Sequence, residues 1–390
     1  MASKVIWPTK RLGDLAEFRN GVNYNKSSFG EGVKVVGVSD FQDYTKPRYG
    51  ELEQINPEGI VTERNILRDG DIVFVRSNGN RELIGRSLFI ERPPEEVTHS
   101  AFTIRLRFTS REVHPKFYAY CFRTPLIRKG LTASGGGTNI SNLNQDILNA
   151  LKVPVPPLLA QRRIAVILSA YDELMENSQR RIRILEAMAR ALYREWFVLF
   201  RFPGHEKLPR AASPLGDIPR GWKVKKLGEI LELNYGKALK QEDRSGGDVP
   251  VYGSSGVVGH HDTALVSGPG IVVGRKGNVG SVFWSDESFY PIDTAYFVTS
   301  KLPLRFLLYD LQTKNFLNND AAVPGLNRNQ AYSLETVIPP FHLLTRFSQL
   351  ADNFEGQAST LRHQIQNLRR TRDLLLPRLL SGQLDLDVGD

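Results

Sequence analysis

The chain has 390 residues, 41% hydrophobic and 24% charged, with 51 Lys+Arg against 42 Asp+Glu for a net charge of +9. That length exceeds what one compact core usually spans, the apolar share excludes a disordered tail protein, and 22 Pro with 33 Gly promise many turns. One cysteine, Cys121, excludes an internal disulfide framework and any multi-cysteine zinc cluster.

The first ten residues hold no apolar run of signal-peptide length, and the apolar stretch near Leu158 is broken at once by Gln161, Arg162 and Arg163. A soluble, cytoplasmic protein is expected. The basic balance favours an anionic partner such as nucleic acid, although net charge alone is a weak signal.

Short β-branched or aromatic runs at Val33–Val38, Asp71–Val75 and Phe102–Phe108, bounded by Gly, Pro, Ser or Asp, predict small mixed sheets with long loops. Cys121 lies among Tyr118, Tyr120 and Phe122 and reads as a small core residue rather than a nucleophile. From about Leu158 to Leu199 a heptad seam runs through Leu168, Met175, Ile182, Ala189 and Trp196, interleaved with Tyr171, Ser178, Leu185, Leu192 and Leu199. A helix of that length is on the order of 60 Å long and cannot be buried in one small domain. Arg201 to Gly221, with Pro203, Pro209, Pro214 and Pro219, reads as a linker.

Beyond the linker the chain repeats itself. Trp7 with Lys10 to Leu15 recurs as Trp222 with Lys225 to Ile230, an offset of 215 residues; Arg76 matches Arg275 at 199; Leu143-Asn144 and Pro156-Pro157 match Leu326-Asn327 and Pro339-Pro340 at 183. The shrinking offset describes one framework with two different variable middles, a duplication rather than a solenoid. Strand-like runs recur at Val249–Tyr252, Ile271–Val273 and Ala295–Val298. A second seam follows: Phe347, Phe354, Leu361, Leu368 and Leu375, with Ala351, Ala358 and Ile365 between. Two seams in one chain can pair with each other, so the expected fold is α+β: two α/β globular units, related by an internal pseudo-twofold repeat, separated by two long antiparallel helices in a coiled coil.

Catalytic patterns fail on inspection. Pro339-Pro340-Phe341 suggests an amino-methyltransferase signature, but Ile338 in front of it cannot hydrogen-bond an exocyclic amine. Neither Gly236-Lys237-Ala238 nor Gly268 to Gly277 has phosphate-loop spacing, and the adjacent His260 and His261 have no partners that complete a metal site. What remains is basic, polar and glycine-rich. Arg76-Ser77-Asn78-Gly79-Asn80-Arg81 with Arg86, and Arg275-Lys276-Gly277-Asn278, each follow a strand and open into a loop. Arg can bridge guanine and Asn can bridge adenine in the major groove, so such loops suit base readout; they equally suit solvated hairpin tips. Ser134 to Asn139, with three glycines, permits close approach to a phosphate or supplies a flexible connection.

These residues together resemble the specificity subunit of Type I restriction-modification systems. Tyr252-Gly253-Ser254-Ser255-Gly256, Val273 to Val282 and Ile292 to Val298 look like a target-recognition domain of that family. Val155-Pro156-Pro157 with Gln161 to Ile164, and Ile338-Pro339-Pro340 with Leu376 to Leu384, look like its central and distal conserved regions. Arg76-Ser77-Asn78-Gly79 departs from the glycine-rich stretch expected of the first recognition domain. The resemblance implies a first recognition domain at 1–152, a central helix at 153–203, linker and second recognition domain at 204–335, and a distal helix at 336–390. It implies a non-catalytic subunit that binds double-stranded DNA, docks two methyltransferase subunits and, in the full complex, restriction/translocase subunits. AdoMet, Mg and ATP are then expected only on the partners, with no cofactor or metal on this chain.

On that reading the DNA-contact candidates are Arg76, Asn78, Asn80, Arg81, Arg86, Thr138, Asn139, Lys237, Ser254, Ser255, His260, Arg275, Lys276 and Asn278. Candidates for helix pairing or partner contact are Pro157, Gln161, Leu168, Ile182, Leu185, Leu192, Pro340, Phe354, Leu361, Leu368 and Leu375. Two different heads on one spacer imply an asymmetric, bipartite DNA site. The alternatives are a stand-alone DNA-binding protein without an enzyme partner, the specificity portion of a single-chain restriction enzyme, and a scaffold whose seams pair between chains.

Overall fold

The computed structural model describes residues 7–42, 45–133, 142–316 and 325–383. The chain divides into two compact units, Met1–Asn177 with Gln364–Asp390, and Ser178–His363.

Unit 1 contains strands β1 (Thr9–Arg11), β2 (Ala16–Asn20), β3 (Phe29–Val36), β4 (Gln54–Ile55), β5 (Ile72–Val75), β6 (Ser87–Phe89), β7 (Val97–His99), β8 (Thr103–Phe108) and β9 (Lys152–Pro154), and helices α1 (Pro115–Cys121), α2 (Pro125–Ala133) and α3 (Gln145–Ala150). They form a four-stranded sheet β2-β8-β5-β6, a three-stranded sheet β4-β3-β7 with β3 and β7 parallel, and the antiparallel pair β1-β9. Alternation builds the core: Ile104 and Leu106 of β8 face Leu12, Phe74 and Phe117, while Arg105 and Arg107 face the other way. Cys121 is fully enclosed in that core, as expected, and burial pushes its thiol well up.

The long helix α4 spans Leu158–Tyr193 and ends in a π-helical turn, Arg194–Val198. Unit 2 contains β10 (Arg210–Ala211), β11 (Ile218–Pro219), β12 (Lys223–Lys226), β13 (Leu231–Tyr235), β14 (Val249–Gly253), β15 (Gly256–His261), β16 (Gly270–Gly274), β17 (Val282–Ser285), β18 (Tyr290–Pro291), β19 (Ala295–Ser300) and β20 (Glu335–Ile338), and helices α5 (Leu304–Gln312) and α6 (Arg328–Ser333), while the second long helix, α7 (Phe341–Leu380), contributes to both units. The sheets β13-β19-β16-β17 and β15-β14-β18 and the pair β12-β20 reproduce the topology of unit 1 strand for strand, the parallel pairing included.

The correspondence extends to single hydrogen bonds. Leu12 N–H donates to Leu151 O and Leu227 N–H to Leu334 O, both at 2.8 Å, so each copy docks its short helix, α3 or α6, in the same way. Gly21 and Gly236 follow β2 and β13 at equivalent places. A Cβ on either would stand 2.2 Å from a carbonyl oxygen, of His99 or of Ile292, so only glycine permits that backbone approach.

The stretch Arg201 to Gly221 is less of a linker than its prolines suggest. β10 and β11 pair as a hairpin, and Phe202, Ile218 and Trp222 are buried in the unit 2 core, with the rings of Phe202 and Trp222 5.0 Å apart.

Each unit takes one part of α4 and one part of α7, paired antiparallel. In unit 1, Leu168 shares a core with Leu375 and Leu379, and Asp172 accepts from Arg372 at 2.6 Å. In unit 2, Ala189, Leu192 and Trp196 pack with Phe347, Ala351 and Phe354, and Glu186 accepts from Arg362 at 3.0 Å. Within the chain the two seams therefore satisfy each other, which removes the physical basis of a scaffold whose seams pair between chains. Leu168, Met175, Ala358, Leu361 and Ile365 are buried, whereas Ile182, Leu185, Leu192, Phe354, Leu368 and Leu375 are half-buried.

Candidate nucleic-acid interface

In unit 2 the structure gathers a basic, aromatic cleft of about 580 Å³ at the end of the four-stranded sheet. Arg275, leaving β16, is held by its backbone N–H on Thr294 O at 2.8 Å and by its guanidinium on Asp293 O at 3.1 Å. Its guanidinium lies 4.8 Å from the ring centroid of Tyr235 at the end of β13 and 5.8 Å from that of Tyr296 on β19. From the opposite wall Arg328, the first residue of α6, lies 5.3 Å from the same Tyr235 ring. The exposed Lys276 and the Asn327-Arg328-Asn329 entry to α6 complete the lining. Cation–π contact orients both guanidinium groups without neutralising them, so they stay available to an anion or a base edge.

The loop beyond Arg275 is built by its own residues. Asn278 donates from Nδ2 to Ser255 Oγ at 3.0 Å, and Ser281 Oγ donates to Ser254 O and to Asn278 O. Asn278 and Ser255 are exposed, and Ser254 is buried beneath them. Lys237 is exposed two residues beyond Tyr235, its N–H bound to Pro291 O at 3.0 Å. His260 is exposed on β15, in the other sheet and outside the cleft.

Unit 1 places different side chains on the same backbone. Arg76 leaves β5 as Arg275 leaves β16: Arg76 N–H binds Phe102 O, and Leu143 N–H binds Arg76 O as Leu326 N–H binds Arg275 O, all at 2.8 Å. Asn20 ends β2 where Tyr235 ends β13, paired with Ile104 where Tyr235 pairs with Tyr296. Gln145 opens α3 where Arg328 opens α6, and its Nε2 donates to Asn20 Oδ1 at 3.2 Å. At the positions of the cation–aromatic cluster of unit 2, unit 1 thus carries a bonded amide pair, Asn20 and Gln145, together with Arg76. Asn20, Gln145, Tyr235, Tyr296 and Arg328 did not stand out in the sequence because strand and helix ends far apart in the chain bring them together. The one available signal was the matched Leu-Asn dipeptide immediately before Gln145 and Arg328.

Several candidates are engaged elsewhere. Asn78 Oδ1 accepts from Asn80 N–H at 2.7 Å, and Asn80 Oδ1 accepts from Glu82 N–H at 3.0 Å, so both amides shape their own turn. Arg81 begins the 3-10 turn Arg81–Leu83. Arg86 donates to Gln42 O. Thr138 and Asn139 lie outside the described residues, as do residues 320 to 323, their counterpart in unit 2. Gln161, a candidate for partner contact, is fully enclosed: its Nε2 donates to Glu112 O and Pro156 O, and its Oε1 accepts from His114 N–H, each at 2.8 Å. Pro157 is exposed and Pro340 half-buried at the entries to α4 and α7.

The family profile described as the Type I restriction modification DNA specificity domain matches residues 4–187 and 219–341. The chain belongs to this family. As a Type I specificity subunit it is a non-catalytic, DNA-directing component of a restriction-modification enzyme. It is 24% identical to the MjaIX specificity subunit of Methanocaldococcus jannaschii, over 98% of this chain and 94% of that one. It is 32% identical to the putative MjaX specificity subunit of the same organism over 57% of this chain and 52% of that one. The crystal structure of a Type I S subunit from M. genitalium has the same fold, with a TM-score of 0.58 at 18% identity and 97% coverage of both chains. No helix among the described residues is long and apolar enough to cross a membrane.

Proposed function

We propose that each unit of this specificity subunit reads one half of an asymmetric, bipartite DNA site through the cleft at the end of its four-stranded sheet, and that the helix pair sets the number of unread base pairs between. The observation that carries this reading is the conserved scaffold with exchanged side chains. Arg76 and Arg275 have the same backbone bonds, while Asn20 and Gln145 stand where Tyr235 and Arg328 stand. A fold that keeps its frame and changes its rim is built for two different sequences. Unit 1 offers an arginine and an amide pair, the groups that match guanine and adenine edges; unit 2 offers two arginines on an aromatic floor. Lys276, Asn278, Lys237 and Ser255 flank the unit 2 cleft as contacts to the backbone or to neighbouring bases.

On this reading the chain docks two methyltransferase subunits and, in the full complex, restriction/translocase subunits, through the helices and their Pro-Pro entries at Pro157 and Pro340. AdoMet, magnesium and ATP belong to those partners. The test is the methylation motif of the assembled methyltransferase carrying Arg275→Ala. Relaxed sequence preference confined to one half of the motif supports the reading, whereas an unchanged motif or equal loss in both halves contradicts it.

A further inference from the structure

One face of the four-stranded sheet of unit 1 packs on the core, and the other is polar. Phe18 and Ile104 pack on the core side of β2 and β8, so Glu17, Arg19, Arg105 and Arg107 stand on the other. The register sets Arg19 directly across from Arg105, and Glu17 across from Arg107. Facing guanidinium groups repel, and the fold itself does not require them. At the corresponding positions unit 2 has Asn234 across from Phe297 and Glu232 across from Thr299, with Asn234 donating to Thr299 Oγ1 at 2.9 Å.

This face lines a cleft of about 380 Å³ to which the turn after β4 adds Arg64 and Arg68. Resident carboxylates account for part of the charge. Arg107 is held by Asp71 through two 2.7 Å bonds, Arg105 donates to Glu17 at 2.8 Å and to Arg64 O at 3.0 Å, and Arg68 meets Glu63 at 3.3 Å. Among the described residues the guanidinium groups of Arg19 and Arg64 have no carboxylate partner within bonding distance. Arg105 has a side chain only 3% exposed, yet its Nε–H has no hydrogen-bond partner. A buried donor left unpaired is costly, and an acceptor placed in the cleft would remove that cost.

We propose that this cleft is a binding site for a phosphate-class oxyanion, held by Arg19, Arg64, Arg68 and Arg105 while Arg107 stays bound to Asp71. Two sources carry that chemistry, a backbone phosphate of DNA and a free phosphate or phosphorylated small molecule. The proposal does not depend on which bases the half-site clefts read.

The test compares the full chain with the double variant Arg19→Gln, Arg64→Gln, whose altered side chains lie outside the hydrophobic core. Inorganic phosphate, exchanged for chloride at equal ionic strength, raises the thermal midpoint of the wild type and not of the variant. Binding of a mixed-sequence duplex, measured over a salt series, separates the sources. A DNA phosphate in the cleft makes the slope of log K against log salt shallower in the variant by about 0.9, the value for one lost phosphate contact. A free anion leaves the slope unchanged while the phosphate response still distinguishes the two proteins. If phosphate shifts both proteins equally and both slopes agree, the site is overturned, whatever the motif of the Arg275→Ala enzyme shows.

Discussion

Arg275 shows how the fold restrains a single cation at the rim of a sheet. Two backbone carbonyl contacts and two tyrosine faces restrict it before any ligand arrives, which lowers the ordering cost of binding. Arg275→Ala is therefore expected to weaken binding of the cognate duplex by about 1 to 3 kcal/mol, checked by titration against a duplex altered only in the other half-site. His99 carries a pH signature of unit 1. Burial, and then the charges of Arg105, Arg107 and Arg19, push its pKa from the ordinary 6.5 down to about 3. The folded state thus keeps a neutral ring, while the unfolded chain takes up a proton below about 6.5. Stability from this group is intact above pH 6.5 and falls as the pH drops toward 3. Between pH 7.5 and 5.5 it amounts to about 1.4 kcal/mol, so His99→Gln should lose correspondingly less over that interval in urea titrations of the two proteins. At this scale the sequence was only partly legible. Arg275, Lys276 and Asn278 do line or flank a cleft, but Asn78 and Asn80 look the same in a list of polar residues and commit their amide oxygens to the turn they sit in. Gln161 is the converse case, since a polar residue near a proline-marked helix start gives no sign that three backbone groups enclose it.

Elements were more legible than residues because they depend on periodicity. Heptad spacing gave both helices, and β5, β8, β14, β16 and β19 fall on the predicted β-branched and aromatic runs. The linker expectation failed where local chemistry and tertiary burial disagreed. Four prolines preclude a continuous helix, but they do not prevent a hairpin that buries Phe202 and Ile218. Tying the helices to the sheets falls to a few buried polar groups. In unit 2 Asp310 of α5 accepts from Tyr193 of α4 at 2.9 Å, from Thr336 of β20 at 2.6 Å and from Lys314 at 3.1 Å. Asp310→Ala takes the shared acceptor from all three and leaves the mostly buried Lys314 cation only the Glu335 carbonyl, and is expected to destabilise unit 2 by about 3 to 5 kcal/mol. Thermal unfolding of the variant checks this, and a change below about 1 kcal/mol would show the cluster to be ornamental.

For the whole molecule, the offset series between the copies already contained the duplication, and the strand-for-strand topology gives it a physical form. Each unit holds its own antiparallel portion of α4 and α7, so the helix pair is the element whose length can change without touching either rim. Removing one heptad from both helices is expected to change the spacer of the recognised motif and leave both half-site sequences intact, as read by methylation mapping. Altered half-sites with an unchanged spacer would reject the helix pair as the ruler. The most direct test of the central claim is methylome sequencing of a host expressing this chain with its methyltransferase partner, with and without the gene for this chain. A DNA-directing specificity subunit requires a methylated, bipartite, asymmetric motif that vanishes when the chain is deleted; methylation unchanged by the deletion would contradict that role.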